Sequence, residues 1–405
     1  MVRSQRLSAA LLRLLEYRLI ILVSLIWFMV QFSRYVFPPL FETLQTTYSV
    51  SNTQTGLLFT LLMLGYSAAQ LPAGILGDRF GEPAIIISGV GIFAAASIVI
   101  FFAPSFTLFT AAAVLIGIGT GIHKTVAIPF LSKQYPQRTG SALGILDTIG
   151  QFGGIVAPVI VVGLLASSFH WSLVFPLISI AGILLAVLFV RNIPPSSLPP
   201  NHTAVAEDSA DHSLSLYLSI FSDTKLAVFL VVMTLFTFSW NGIASFLPLF
   251  FTNQKGFSPA IASTAYSLLF VASLSQLITG NLSDRIGRLP ISILLFLVMT
   301  VSLILIIILE TTIPLLVLTL TMGIGLHGFR PVRDSYLMDL IPTSLGGGVL
   351  GIVRTVMTLI GALSPALVGY LADISNFAVS FSALIVSLTL GGLLVAFLKH
   401  LSNSQ

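Results

Sequence analysis

Apolar residues run along this chain in long, nearly unbroken blocks, without the alternation of a half-buried strand or the one-sided stripe of a soluble helix. A helix crossing roughly 30 Å of hydrocarbon needs about 20 such residues. Twelve blocks qualify: 19–41, 53–76, 83–102, 106–132, 139–166, 170–190, 225–251, 258–282, 289–309, 313–339, 345–371 and 376–398. The polar breaks between them are short, with one exception. The stretch after Ile193 holds Pro194-Pro195, Pro199-Pro200, Glu207, Asp208 and Asp211, the composition of a flexible linker. The pattern therefore predicts an all-α integral membrane protein with six-helix bundles at 19–191 and 225–398. A segment at 1–18, a linker at 192–224 and a tail at 399–405 complete the chain.

A short polar motif shows how the two bundles are related. Gly74-Ile75-Leu76-Gly77-Asp78-Arg79-Phe80-Gly81 recurs 206 residues later as Gly280-Asn281-Leu282-Ser283-Asp284-Arg285-Ile286-Gly287. Each copy lies between apolar blocks, so it reads as a tight loop with glycines for the turn and a charge pair facing water. Six spans return the chain to its starting side. The second bundle therefore repeats the first in the same orientation, about an axis along the membrane normal.

Composition agrees with this picture. With 56% hydrophobic and 8% charged residues in 405, there is too little polar surface for a soluble globule. Cysteine is absent, which excludes disulfides and thiolate metal sites; no cofactor or metal ligand set is read from the chain. The net charge of +4 is informative only once its cations are placed. With the N-terminus inside, Arg3, Arg6, Arg13, Arg18, Arg79, Lys133, Arg138, Arg191, Lys225, Arg285, Arg288 and Lys399 fall on cytoplasmic segments and Lys255 on an outer loop. The positive-inside rule then puts both termini in the cytoplasm and the chain in the inner or plasma membrane. Leu7, Leu11, Leu14 and Leu15 between basic residues suit an interfacial helix better than a cleaved leader.

Five cations, Arg34, Lys124, Arg330, Arg333 and Arg354, fall inside the spans, against two carboxylates well inside, Asp147 and Asp334. A lone cation at mid-bilayer costs about 2.5–3.5 kcal/mol on insertion scales, so these residues should line an aqueous cavity. They are not on a solvated face, and nucleic-acid binding is not indicated. The repeat supports their grouping. At the 206-residue offset Gln70 maps to Gln276, Gly117-Ile118-Gly119 to Gly323-Ile324-Gly325, Lys124 to Arg330 and Pro136 to Pro342. One inserted residue later, Gly144, Asp147 and Pro158 map to Gly351, Arg354 and Pro365, whereas Arg34 falls on Trp240. Helical spacing places His327, Arg330 and Asp334 on one face of the tenth span. Asp147, Gln151, Gly154 and Pro158 share a face of the fifth, and Arg354, Thr358, Gly361 and Pro365 repeat it in the eleventh.

The excess of three positive charges predicts a small anionic substrate held between Arg34, Lys124, Arg330 and Arg354. Guanidinium suits bidentate carboxylate, phosphonate or phosphate, and Lys adds a compact charge. Gln70, Gln276 and Trp240 would supply hydrogen bonds and an apolar wall. The residues leave alternatives open. Arg34, Lys124 and Arg330 would otherwise fix helix packing through Asp147 and Asp334, Arg333 would pair along its own helix, and Arg354 would neutralise Asp147. Asp147 reads either as a proton carrier or as half of a fixed ion pair. Asp334, His123 and His327 are further proton-coupling candidates, with polar packing as the alternative for the histidines. Gly117-x-Gly119-x-Gly121 imitates a nucleotide fingerprint but follows no strand, so its glycines are close helix contacts.

Six plus six spans, the long central linker and the Gly-x-Leu-x-Asp-Arg-x-Gly loop after spans 2 and 8 resemble the major facilitator superfamily over essentially the whole chain. The family's loop continues with basic residues; the second copy supplies Arg288, while the first departs with Glu82-Pro83. The resemblance implies that Asp78, Arg79, Asp284 and Arg285 are gating residues that latch the cytoplasmic ends of the halves. It also implies a cavity lined by spans 1, 4, 7 and 10 and flanked by 2, 5, 8 and 11, where the charged positions lie. Gly121-Ile122-His123-Lys124 and the stretch 140–158 are similar to fosmidomycin-resistance exporters, and Gly150, Gly153, Gly154 and Pro158 resemble the antiporters' glycine-proline signature without its adjacent Gly-Pro. The expected activity is secondary active transport of an organic anion with protons, by a chain working as a monomer; the alternative is drug efflux by proton antiport. A receptor or enzyme would need a large soluble domain or a catalytic cluster, and neither is visible.

Overall fold

The computed structural model describes residues 2–193, 223–341 and 346–403, with side chains placed at 17–193, 223–341 and 352–403. Twelve helices are long and apolar enough to cross a membrane. They are α1 (Tyr17–Tyr48), α2 (Asn52–Phe80), α3 (Glu82–Phe101), α4 (Phe106–Gln134), α5 (Thr139–Leu165), α6 (Trp171–Asn192), α7 (Thr224–Gln254), α8 (Pro259–Ile286), α9 (Arg288–Ile308), α10 (Thr312–Leu340), α11 (Ile352–Ile374) and α12 (Phe377–Asn403). No strand occurs among the described residues. Hydrocarbon offers no water for stray backbone groups, and helices satisfy those groups internally. Most of the predicted linker and Pro342 lie outside the described residues.

Two spans differ from their predicted limits for a backbone reason. The first helix begins at Val2, breaks at Val36 and resumes as Phe37–Tyr48, beyond the predicted end at 41. Pro38 and Pro39 stand in the first turn after the break, where the missing N–H costs nothing. In α11 the helix stops at Gly361 and restarts at Ser364-Pro365. Its repeat partner Pro158 sits inside a continuous α5. One position thus carries a break in one half and none in the other.

The repeat extends into packing. A Cβ on Gly119 would meet the Gly89 carbonyl and Phe93, and one on Gly325 would meet the Leu295 carbonyl and Met299, the same contacts displaced by 206. The motifs predicted as loops are instead the last turns of α2 and α8, helical up to Phe80 and Ile286; only their final glycines leave the helix, Gly81 with φ 86° and Gly287 with φ 109°, a left-handed backbone that side chains resist. Beyond each glycine the start of the next helix is tied to the end of the one after. Lys133 pairs with the buried Glu82, and Arg288 pairs with Asp339. These four are also 206 apart in twos, so the same bridge is built with its signs exchanged.

An even number of spans puts both ends of the described chain on one face, called here the terminal face. On the opposite, far face the halves are in contact. Phe41 of α1 lies 5.2 Å from Phe246 of α7 between ring centres, Ala366 donates to Thr60 Oγ1 at 3.0 Å, and Asp373 accepts from Asn52 and Thr53. Lys255, the cation predicted for an outer loop, is almost fully enclosed there. Its ammonium donates to the carbonyls of Ile307 and Leu309 at 2.7 and 2.8 Å, closing the C-terminal end of α9 where a positive charge is favoured.

Candidate functional site

The charged residues of α1, α4, α5, α10 and α11 converge between the halves, and their pairing is uneven. Lys124 donates to Asp147 at 2.7 Å across α4 and α5, with both side chains part-exposed. Arg333 pairs with its neighbour Asp334 at 2.8 Å. Arg34, Arg330 and Arg354 have no carboxylate within ion-pair distance among the described residues. Asp147 is therefore neutralised by Lys124, not by Arg354. Arg354 and Lys124 stand close enough to Asp334, and Asp147 and Tyr35 to Arg330, for their charges and dipoles to act on one another.

Aromatic rings hold two of these guanidinium groups, those of Arg34 and Arg330. Arg34, 5% exposed, lies 4.2 Å from the ring centre of Tyr66, with Tyr35 and Trp27 at 5.6 and 5.8 Å. Its hydrogen bond goes to Gln31 Oε1 one turn back, and its Nε has no partner. Arg330 lies 4.4 Å over the ring of Trp240, the repeat partner of Arg34. A ring face attracts a cation without cancelling its charge, so both heads stay available to an anion. The two sites are linked by rings: Tyr35 lies 4.5 Å from Phe270, which lies 5.8 Å from Trp240.

The remaining predicted residues divide into groups. Gln70 and Gln276 are part-buried and make no side-chain hydrogen bond among the described residues; Gln70 follows Tyr66 by one turn, on the Arg34 side. His123 is enclosed, its Nε2 3.1 Å from the Val23 carbonyl and its ring stacked on Trp27 at 5.9 Å. His327 is fully buried between Trp240 and Phe270. Asp78, Arg79, Asp284 and Arg285 are exposed at the terminal face and make no ion pair among the described residues.

Sequence reasoning missed Gln31, Tyr35, Tyr66 and Phe270. Gln31 carried a usable signal, as a polar residue one turn before a buried arginine. The rings carried none, because aromatic residues make up 10% of the chain.

A family profile described as the Major Facilitator Superfamily matches residues 23–275 and 260–405. Over 259 residues the chain is 26% identical to the 3-(3-hydroxy-phenyl)propionate transporter of Escherichia coli K12, covering 62% of this chain and 60% of that one. Over 191 residues it is 30% identical to the multidrug resistance protein MdtL of Shigella dysenteriae, covering 47% and 48%. The matching stretches thus span about half to three fifths of these relatives. In fold, the chain superposes with TM-score 0.79 and 16% identity on an inward-facing, occupied bacterial homologue of the human lysosomal transporter Spinster, over 96% of this chain and 97% of that one. Two repeated six-helix bundles, charged residues that converge between them and a family match along nearly the whole length lead to one assignment: the chain belongs to the Major Facilitator Superfamily.

Proposed function

We propose that this transporter carries a small organic anion, of carboxylate or phosphonate type, by alternating access coupled to protons. The observation behind this reading is the set of Arg34, Arg330 and Arg354, three cations without carboxylate partners where the halves face each other. In a low-dielectric cavity their repulsion is relieved by a bound anion. Arg34 and Arg330 would grip the acidic group, Gln70 and Gln276 its remaining oxygens, and Trp240 its body, with Arg354 adding charge. A substrate oxygen competing for Lys124 frees Asp147 to take a proton, which couples the two fluxes; Asp334 is the second candidate. The enclosed positions of His123 and His327 favour packing roles for them.

The cations of the loop segments favour a cytoplasmic terminal face in the plasma or inner membrane. On that orientation the face where Phe41 meets Phe246 and Asp373 meets Asn52 is the outer one. Asp78, Arg79, Asp284 and Arg285 would engage when the cytoplasmic ends close, and the chain works as a monomer. Drug efflux by proton antiport is a second reading, favoured by the similarity to MdtL. Uptake into liposomes holding the purified protein separates the two. Under an imposed pH gradient, monocarboxylates, dicarboxylates and phosphonates should enter in preference to cationic dyes; preference for the dyes sinks the anion reading.

A further inference from the structure

We infer that Asp373, at the end of α11, is a latch that holds the far face shut and sets the balance between the two access states. Its carboxylate bridges the halves with both oxygens. Oδ1 accepts from the Asn52 backbone N–H at 3.0 Å and from its side-chain amide at 2.8 Å. Oδ2 accepts from the Thr53 N–H at 2.7 Å and its hydroxyl at 2.5 Å. Asn52 and Thr53 open α2, where backbone N–H groups have no partner inside the helix and the positive end of the helix dipole lies.

The local chain does not require this carboxylate. Ser51 and Gln54 already form a reciprocal cap on α2, so its start is secured from within its own half. What Asp373 adds is a tie between bundles. It stands at the head of a strip in which small residues let backbones touch. Gly369, one turn back along α11, packs on the Asn52 carbonyl, and the Pro365 carbonyl packs on Gly56. Below them the Ala366 N–H donates to Thr60 Oγ1 at 3.0 Å. Any motion that parts the bundles at the far face must break Asp373 from Asn52 and Thr53. Asp373 is exposed, so water can take over its hydrogen bonds, which makes the tie reversible.

The repeat isolates the feature. The equivalent seam joins α5 to α8, where the positions matching Asp373 and Asn52 are Ala166 and Ser258. No carboxylate bridges them among the described residues. Instead a cavity of about 270 Å³ opens there, bordered by Pro38, Glu42, Val162, Pro259 and Ser263. The outer end is therefore tied by a carboxylate along one seam, while the other seam closes further in, where Ser267 Oγ donates to the Ile155 carbonyl at 3.1 Å. The role of Asp373 does not depend on the identity or charge of the cargo.

The absence of cysteine allows the test to be made with introduced labels on the full chain. One spin-label pair at Thr47→Cys and Ile313→Cys spans the far face, and a second at Gln137→Cys and Asn403→Cys spans the terminal face. Distances are measured by pulsed electron resonance in lipid nanodiscs with no substrate added. Asp373→Ala should lengthen the first distance and shorten the second, shifting the ratio of states by roughly 5- to 30-fold, as expected for loss of a helix-capping tie. Asp373→Asn, which keeps shape and one acceptor, should shift it less. Thr53→Val combined with Asn52→Ala, made from the other half, should move both distances the same way. A purely structural role would lower the melting temperature without a reciprocal change in the two distances. Folded Asp373→Asn and Thr53→Val/Asn52→Ala proteins with wild-type distributions at both faces would overturn the latch. Failure of anion uptake with these shifts present would count against the proposed cargo alone.

Discussion

The two halves place charge at the same positions and obtain opposite results. In the N-terminal half Lys124 and Asp147 cancel each other across α4 and α5. In the C-terminal half the same two positions hold Arg330 and Arg354, like charges that cannot pair. At the terminal face both halves bridge two helices with an ion pair, yet Glu82–Lys133 in one becomes Arg288–Asp339 in the other. A repeat fixes where charged groups stand, because backbone geometry is copied. It does not fix their sign. At these two positions one half consequently has a neutral pair able to open, and the other holds a standing positive charge.

The largest effect should come from removing that standing charge. Arg330→Ala is expected to weaken binding of the transported anion by about 10- to 100-fold, since hydrogen bonds to charged groups contribute about 1.5–3 kcal/mol. Arg330→Lys should recover part of it, keeping charge but losing the planar fork. Binding measured by calorimetry on folded, monodisperse protein checks this. Wild-type affinity in Arg330→Ala would take the C-terminal half out of the site.

The second comparison concerns packing. A Cβ on Gly119 falls 2.7 Å from both the Gly89 carbonyl oxygen and the Phe93 nitrogen, which are backbone and cannot yield. On Gly325 the tightest neighbour is a Met299 side-chain carbon at 2.5 Å, which can rotate away, with the Leu295 carbonyl at 3.1 Å. Gly119→Ala should cost about 1–3 kcal/mol by overpacking, and Gly325→Ala clearly less. Thermal unfolding in detergent gives the order. Equal losses would mean that the halves respond alike.

The sign-exchanged bridges offer a smaller effect. Glu82→Lys sets two cations together at a buried position, and we expect a loss of about 1–2 kcal/mol, moderated because Lys133 is largely exposed. Adding Lys133→Glu rebuilds the bridge with the polarity of the other half and should recover most of the loss. A double variant no more stable than Glu82→Lys would show that polarity matters there for a reason beyond the pair.

These comparisons also indicate what was legible beforehand. The twelve spans and the repeat were readable because long apolar blocks and a duplicated glycine-aspartate-arginine loop are local signals. The offset then carried Lys124 to Arg330 and Asp147 to Arg354 without any contact being known. Partners were not readable. Asp147 had two cations to choose from, and only folding places Lys124 against it. The departure at Glu82 announces no partner either, and Lys133 meets it from 51 residues further along the chain. Asp373 reaches Asn52 across 321 residues, and no periodic pattern announces such a contact.

The smallest effect on stability should carry the clearest mechanistic information. Asp147→Asn removes the carboxylate that cancels Lys124 and keeps its shape. Both side chains are part-exposed, at 48% and 36%, so the lost pair is worth about 1 kcal/mol or less and the protein should fold normally. Lys124 then becomes a second unpaired cation of the N-terminal half beside Arg34, to match Arg330 and Arg354 in the other half. Anion binding should be kept or strengthened, because Lys124 no longer has to leave Asp147 to meet the substrate. Coupling should be lost, because an amide cannot take the proton that the freed carboxylate would. Uptake driven by an imposed pH gradient should therefore fall toward the level of exchange down the anion's own gradient, while exchange without a pH gradient persists. If pH-driven uptake stays at the wild-type level, the proton travels elsewhere, with Asp334 the next group to test, and the Lys124–Asp147 pair becomes a structural link instead of a switch.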